Sequence, residues 1–315
     1  MSSEKEILNI ETLIRSSWKG AAKLHEGERP GLTMPSIIEI ANEQCYDKIP
    51  GTVRNLFLIY NEVGAWFVSL AMLLTSLAMN DATPLSPWKA NLMCMSGLIS
   101  SQVIAIHRLV TFGLDVQSKQ LLRVLTEQVD IAIALSINPQ LSEKFALTSD
   151  ENAANNFWYQ HVSRGKLRKK FFNSLEISIG STPAKELMRY IEQEEKILGM
   201  GIHPSLASAQ MACLPATGKS EEAFFFGFLG KPTVYSERTL KYAIIYLMFY
   251  VAIGFVPERI EVDDATPTGK LIGPLQEHVL CGRSAILKLI GKLVKNQNHP
   301  DLKTNFDEIK AEFGW

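Results

Sequence analysis

Three long segments without a charged residue constrain the fold of this chain most strongly. They are Val63–Asn80, Ala90–Ile106 and Tyr242–Pro257, with 18, 17 and 16 residues. A helix that spans a membrane needs about 20 predominantly apolar residues, and the first two segments also carry Ser, Thr, Asn or Gln. We therefore predict buried helices in the core of a soluble protein. A helical membrane protein is the alternative.

The rest of the sequence repeats apolar residues at spacings of three and four, which is typical of amphipathic helices. The first such set is Ile7, Ile10, Leu13, Ile14 and Trp18. Further helices are predicted at about 33–49, 53–79, 88–137 with a flaw at Gly113, 139–148, 150–178, from Pro183, 236–255 and 270–297. Residues 199–235 break the pattern, and we expect an irregular loop or a short hairpin there. The pattern as a whole predicts an all-α multi-helix bundle.

We expect one domain over residues 1–315, because the chain is long enough for a single large core and has no internal repeat. Within it, residues 1–50 are predicted to form an N-terminal helical extension, 51–298 the core bundle, and 299–315 a short C-terminal helix.

Charge and cysteine content exclude several classes of protein. The formal net charge is −1, so only a local patch would attract nucleic acid or anionic lipid. The four cysteines are far apart and never form Cys-x-x-Cys, which argues against a zinc site and a disulfide framework. The N-terminus is acidic and lacks the basic start and apolar block of a signal peptide. We predict a cytoplasmic protein without metal or cofactor.

Familiar catalytic motifs are incomplete or missing. The TGKS segment at 217–220 ends like a phosphate-binding loop, but Cys213 occupies the position of the required first glycine. The sequence has no Gly-x-Ser-x-Gly and no His-Glu-x-x-His, and the GMG segment at 199–201 lacks the third glycine of a dinucleotide-binding turn. These patterns give no support to an ATPase, a serine hydrolase, a zinc protease or a dinucleotide-binding enzyme.

A charged stripe lies on the otherwise apolar helix near residue 123. Arg123 and Glu127 are four residues apart and share one side of the helix with Asp130 and Lys119. The opposite side is apolar and consists of Leu121, Leu122, Leu125, Val129, Ala132 and Ile133. The stripe is either a solvated helix face or, if the helix is central, the wall of a polar pocket.

Two histidines, His203 and His107, are candidates for a structural or a functional role. His203 stands directly before Pro204, which keeps it out of the α region, and Ser205 is a plausible cap for a following helix. His203 either caps the preceding helix or acts as acid, base or anion contact. His107 falls on an apolar helix side if the helix continues through Gly113, and we expect a core histidine bonded to a backbone carbonyl.

The segment 161–172 has five basic residues and no acidic one. The basic residues are Arg164, Lys166, Arg168, Lys169 and Lys170. The flanking aromatic residues are Phe157, Trp158, Tyr159, Phe171 and Phe172. Such a segment either binds a nucleic-acid backbone or forms a solvated helix face whose aromatic residues enter the core.

The segment LDVQSKQLLRVLTEQVDIAIALSINPQLSEKFA and the residues after it resemble a group of bacterial all-helical proteins that share a domain of unknown function. The similar features are Arg123-x-x-x-Glu127, the Asn138-Pro139 turn and His203-Pro204-Ser205, and they cover roughly residues 100–255. The resemblance implies a soluble helical bundle in which Arg123, Glu127 and His203 meet. Distantly similar HEPN-type proteins include RNases of toxin and phage-defence systems, but their Arg-to-His helix signature is missing here.

These observations lead to three functional expectations. The first is a binding or interaction protein, with a bacterial phage-defence or toxin–antitoxin role implied by the resemblance. The second is a metal-independent hydrolase or nuclease, with His203 as acid–base, Arg123 on an anion and Glu127 orienting the imidazole. The third is a helical membrane protein. Nucleic acid at 161–172, a protein partner and a second copy of the chain are the expected partners; a membrane is not expected.

Overall fold

The computed structural model describes residues 51–80, 86–167, 181–202, 234–255 and 267–295, together with Phe172 and Glu176. All of them belong to one compact unit, Cys45–Trp315. Within these ranges the chain is helical and contains no strand, which confirms the all-α prediction. The α-helices described there are α1 Gly51–Asn80, α2 Pro87–Thr111, α3 Asp115–Ile137, α4 Pro139–Ala146, α5 Glu151–Phe157, α6 Ser181–Ile202, α7 Val234–Phe249 and α8 Pro267–Lys295.

Side-chain caps explain where three of these helices begin. The Ser86 hydroxyl accepts a hydrogen bond from the backbone N–H of Lys89 at the start of α2. The Asn138 side chain caps α4 by accepting from Leu141 N at 3.1 Å. The Asp150 carboxylate caps α5 by accepting from Ala153 N at 2.9 Å. Each cap satisfies a backbone donor that the first turn of a helix leaves unpaired.

The run predicted at 88–137 is two helices, because the chain turns at Gly113. The φ angle of Gly113 is 66°, a left-handed conformation that favours glycine. Helix α2 ends at Thr111 and α3 begins at Asp115. The turn makes α3 an independent element, so its charged stripe is positioned separately from the apolar face of α2.

Helices α1 and α3 each pack against at least three other described helices. Helix α3 packs against α2, α6 and α7, and α1 packs against α2, α7 and α8. The indole of Trp66 on α1 contacts the rings of Phe67 and Phe255, with centroids 5.1 and 5.2 Å away. Its Nε1 also donates to the carbonyl oxygen of Val279 on α8 at 2.8 Å. Trp66 therefore joins three parts of the core.

Irregular helical turns follow α5 and α7. The segment Trp158–Val162, called π1 here, is a π-helix, and Ser163–Gly165 is a 3-10 turn. A second π-helix, π2, spans Tyr250–Gly254 at the end of α7 and packs against α3. The helix predicted at 150–178 is therefore interrupted by these turns between Phe157 and Lys166, whereas Lys166, Leu167, Phe172 and Glu176 are again α-helical.

The GMG segment does not end a helix, because α6 continues through it to Ile202. Helix α7 begins at Val234, so both edges of the predicted 199–235 irregular region are helical. Residues 203–233, the N-terminal helices predicted within 1–50 and the short helix predicted within 299–315 lie outside the described residues.

Two described helices are long and apolar enough to cross a membrane, judged by length and composition alone. They are Val53–Met79 of α1 and Pro87–Thr111, the whole of α2. Less than half of the most apolar window of each helix is buried inside the bundle. The buried sides belong to the core, whereas the opposite sides of α1 and α2 are exposed.

Candidate functional site

The charged stripe on α3 is longer than predicted from the sequence, because it also includes Asp115. Asp115, Lys119, Arg123, Glu127 and Asp130 follow one another at spacings of four, four, four and three residues. The residues at the two ends of the stripe are buried, and the two in the middle are partly exposed. The stripe is thus buried at its ends and partly open to solvent at its centre.

The open centre of the stripe borders a cavity of about 620 Å³. Arg123, Glu127 and Asp130 form the α3 wall, Glu195 comes from α6, and Lys166 comes from the segment after π1. The volume lies within the range of about 300–1,000 Å³ that is usual for small-molecule sites. The cavity therefore presents basic and acidic groups together in a space large enough for a small organic ligand.

A second wall of the cavity is formed by π1 and the turn after it. The Tyr159 carbonyl accepts hydrogen bonds from Ser163 Oγ at 2.9 Å and from Lys166 Nζ at 2.6 Å. The rings of Trp158 and Tyr159 meet edge to face with centroids 5.1 Å apart, and both rings are exposed at the cavity. Since π-helices occur frequently at functional sites, this wall adds aromatic surface at a position typical of binding.

Arg123 and Glu127 form only a weak ion pair. Arg123 Nε lies 3.7 Å from Glu127 Oε1, and the two side chains are 46% and 33% exposed. Exposed pairs of this kind contribute about 0.3–0.5 kcal/mol. Because the ion pair contributes so little, a ligand can replace either partner at a small cost in free energy.

A second, tightly bonded group of charges lies where α3, α6 and α7 meet. Glu194 of α6 is 2% exposed and Arg238 of α7 is 31% exposed. Arg238 donates to both carboxylate oxygens of Glu194, with Nη2 at 2.6 Å and Nε at 3.0 Å. This bidentate geometry is the strong form of an ion pair, and it fixes α6 to α7.

The buried end of the α3 stripe contacts the first turn of α7, beside the same group of charges. Lys119 Nζ lies 4.7 Å from the centre of the Tyr235 ring, and Ser236 donates to Asp115 Oδ1 at 2.6 Å. Burial lowers the pKa of Lys119, and the Asp115 carboxylate opposes this shift more than any other neighbour. We call Asp115, Lys119, Glu194 and Arg238 the buried ion cluster.

The buried ion cluster holds one wall of the cavity. Glu194 belongs to the cluster, and the next residue, Glu195, lines the cavity. At the other end of the stripe, the Tyr246 hydroxyl of α7 donates to Asp130 Oδ1 at 3.1 Å. The α3 and α6 walls are therefore both fixed through α7.

The structure describes two of the three predicted catalytic residues, and both line the cavity. These are Arg123 and Glu127. His203 lies outside the described residues. The last described residue before it is Ile202, and a Cβ built on Gly199 would lie 4.0 Å from Arg123 Nη1. The final turn of α6 thus reaches the guanidinium of Arg123.

Among the residues predicted to bind nucleic acid, Lys166 has a described side chain, and it lines the cavity. Arg164 lies in the 3-10 turn, and its side chain is outside the described part of the protein. Arg168, Lys169 and Lys170 are outside it entirely. The nucleic-acid interface at 161–172 stays a prediction.

His107 is half-buried between α1 and α2, away from the cavity. Its ring meets the edge of the Phe57 ring with centroids 5.3 Å apart. Burial lowers the pKa of His107, and the neighbouring Arg108 lowers it further. The side chain borders a groove between α1 and α2.

The sequence did not predict Asp115 at the start of α3 or the residues that other helices bring to the site. The residues from other helices are Glu194, Glu195, Arg238 and Tyr246. The spacing of the stripe would have included Asp115, because it lies four residues before Lys119. No local pattern links Glu194 to Arg238, since 44 residues separate them.

Within the described ranges, no group of three or more His, Cys, Asp or Glu side chains is arranged to hold a metal ion. Comparison with protein-family models, with characterised proteins and with solved structures finds no match to this chain.

Proposed function

We propose that the protein is a binding protein whose cavity takes a small zwitterion of the amino-acid type with an apolar or aromatic side chain. One observation carries this proposal: the charged stripe of α3 opens into a cavity that also has exposed aromatic rings. Groups of both signs and apolar surface within one concave site are typical of small-ligand recognition.

Each part of the cavity has a counterpart in such a ligand. Arg123 and Lys166 suit a carboxylate, because a guanidinium and an ammonium group donate charge-assisted hydrogen bonds. Glu127, with its weak and half-exposed ion pair, suits an ammonium group. The rings of Trp158 and Tyr159 offer a stacking surface for an apolar or aromatic side chain. A ligand with only one charge would leave one set of these groups without a partner.

Titration calorimetry with three compounds that share one phenyl ring tests this proposal. L-phenylalanine carries both charges, 2-phenylethylamine only the ammonium group and 3-phenylpropionate only the carboxylate. We expect L-phenylalanine to bind at least about tenfold more tightly than either of the others, since one lost charge-assisted hydrogen bond costs about 1.5–3 kcal/mol. The variant Trp158→Ala should weaken its binding. Equal binding of all three compounds, or none, would contradict the proposal.

A metal-independent hydrolase or nuclease is the second proposal. It is supported by the position of the end of α6, where Gly199 lies beside Arg123 four residues before His203. In this proposal His203 transfers the proton, Arg123 contacts the anionic group of the substrate and Glu127 orients the imidazole. A role in phage defence or in a toxin–antitoxin pair rests on the resemblance alone.

Hydrolysis of an RNA oligonucleotide in the presence of EDTA tests the second proposal. We expect cleavage by the wild-type protein and a loss of about 10²–10⁴-fold in His203→Asn, the range for one acid–base group. The control is His278→Asn, because His278 is an exposed residue of α8. Absence of cleavage, or equal cleavage by both variants, would rule the nuclease out.

A further inference from the structure

The exposed side of α1 carries apolar residues at intervals of seven. Leu58, Ala65, Met72 and Met79 are all exposed, and the Met72 side chain is 56% exposed. Seven residues are close to two helical turns, so these side chains lie on one face. Helix α2 adds exposed Leu98 and Ile104 on its own outer side. We call these six residues the outer apolar face.

A groove of about 330 Å³ runs between α1 and α2 within this face. Its lining is mainly apolar and includes Gly64, Ala65, Val68, Val103 and Ile104, together with the polar Asn61. The helices approach closely at Gly64, where an added Cβ would lie 2.8 Å from Val103 Cγ1. Because this contact and the buried sides of α1 and α2 belong to the core, the pair cannot leave the bundle without exposing the core.

The charge on this helix pair is mainly basic. The ring contact of Phe57 with His107 places the start of α1 beside the end of α2, so Arg54 and Arg108 lie at the same end. Arg108 also lines the groove. Lys89 lies near the other end, and Glu62 is the one acidic residue of α1 and α2. Glu62 is exposed near the middle of α1, one turn after Leu58.

We propose that the outer apolar face docks onto an anionic lipid bilayer, with α1 and α2 lying in the plane of its surface. The apolar side chains enter the boundary of the acyl chains, and Arg54 and Arg108 contact anionic headgroups. The excess of basic over acidic residues on α1 and α2 selects this occupant. The other sides of α1 and α2 are packed in the core, which favours docking over spanning. This surface is separate from the cavity on α3.

Vesicle flotation of the full chain tests the proposal. The probes are vesicles of phosphatidylcholine and of an equal mixture of phosphatidylcholine and phosphatidylglycerol. We expect flotation with the mixed vesicles and at least about tenfold less in the variant Met72→Glu/Leu98→Glu. The matched control is Val124→Glu/Leu147→Glu, which places the same charges on apolar residues that are exposed elsewhere; it should float like the wild type.

Two further measurements define the outcome. The variant Arg54→Gln/Arg108→Gln should lose about tenfold of the binding to mixed vesicles, because each basic residue near an anionic surface contributes to the affinity. Circular dichroism of every variant should match that of the wild type, since all substituted side chains are exposed. The proposal is overturned if the wild type does not float, or if the control variant loses as much binding. It is also overturned if the wild type sediments as a dimer and binds no vesicles, and Met72→Glu/Leu98→Glu sediments as a monomer. That result would show that the face binds a second copy of the chain.

Discussion

Replacing Glu194 with glutamine is expected to lower the free energy of unfolding by about 3 kcal/mol, the lower end of the range for breaking a buried ion pair. The substitution keeps the size of the side chain and removes its charge. Glu194 is buried and accepts three hydrogen bonds from Arg238. Without the carboxylate, Arg238 and the buried Lys119 lose a shared negative neighbour. The lower end applies because Arg238 retains partial exposure to water.

Urea denaturation measures this loss, and the same helix offers a matched control. Glu192 is exposed on α6 two residues before Glu194, and Glu192→Gln should change the free energy of unfolding by less than about 0.5 kcal/mol. In the double variant Glu194→Gln/Arg238→Gln, the loss should be smaller than the sum of the two single losses, since contacting residues couple. Additive losses would show that the two side chains do not act as a pair.

Replacing Trp66 with alanine is expected to cost about 3–5 kcal/mol, the usual range for removing a buried aromatic side chain. The indole is fully packed and contacts Phe67 and Phe255. Its Nε1 donates to the carbonyl of Val279, so the substitution also breaks a buried link between α1 and α8. Urea denaturation should give a lower midpoint, and near-ultraviolet circular dichroism should show loosened aromatic packing.

A second tryptophan supplies the control for Trp66→Ala. Trp158 is 36% exposed at the cavity wall, whereas Trp66 is 2% exposed, and Trp158→Ala should lower the free energy of unfolding by less than Trp66→Ala because it uncovers less apolar surface. The contrast separates a tryptophan that holds the fold from one available to a ligand. Similar losses in both variants would contradict the placement of one of them.

The sequence predicts a helix well where the apolar repeat is long and the residue that caps the helix is adjacent to it in the sequence. Helix α1 was expected at about 53–79 and is found at Gly51–Asn80. Asn138-Pro139 was expected to end one helix, and Asn138 also caps the next. The apolar repeat does not show which glycines interrupt a helix. Gly113, in a left-handed conformation, separates α2 from α3, whereas Gly199 and Gly201 lie inside α6. A glycine permits a break, and tertiary packing decides whether one occurs.

From the sequence, the candidate site could be predicted only for the residues that lie on one helix, α3. The spacing of the residues predicts the stripe from Lys119 to Asp130. What the stripe faces depends on the packing of α6, α7 and π1, which the spacing does not predict. Asp115 meets Ser236 across 121 residues of sequence, and such a pairing leaves no local pattern. The irregular turn at Trp158–Val162 likewise has no periodic signal, because it departs from the helical period.

The central claim is that the charged stripe of α3 is the binding surface of a cavity. Titration of L-phenylalanine into the wild type, Glu127→Gln and Glu192→Gln tests it most directly. Both glutamates are replaced in the same way, but only Glu127 lines the cavity. We predict at least about tenfold weaker binding to Glu127→Gln, because a charge-assisted hydrogen bond is lost, and unchanged binding to Glu192→Gln. Equal affinities in all three proteins would contradict the claim.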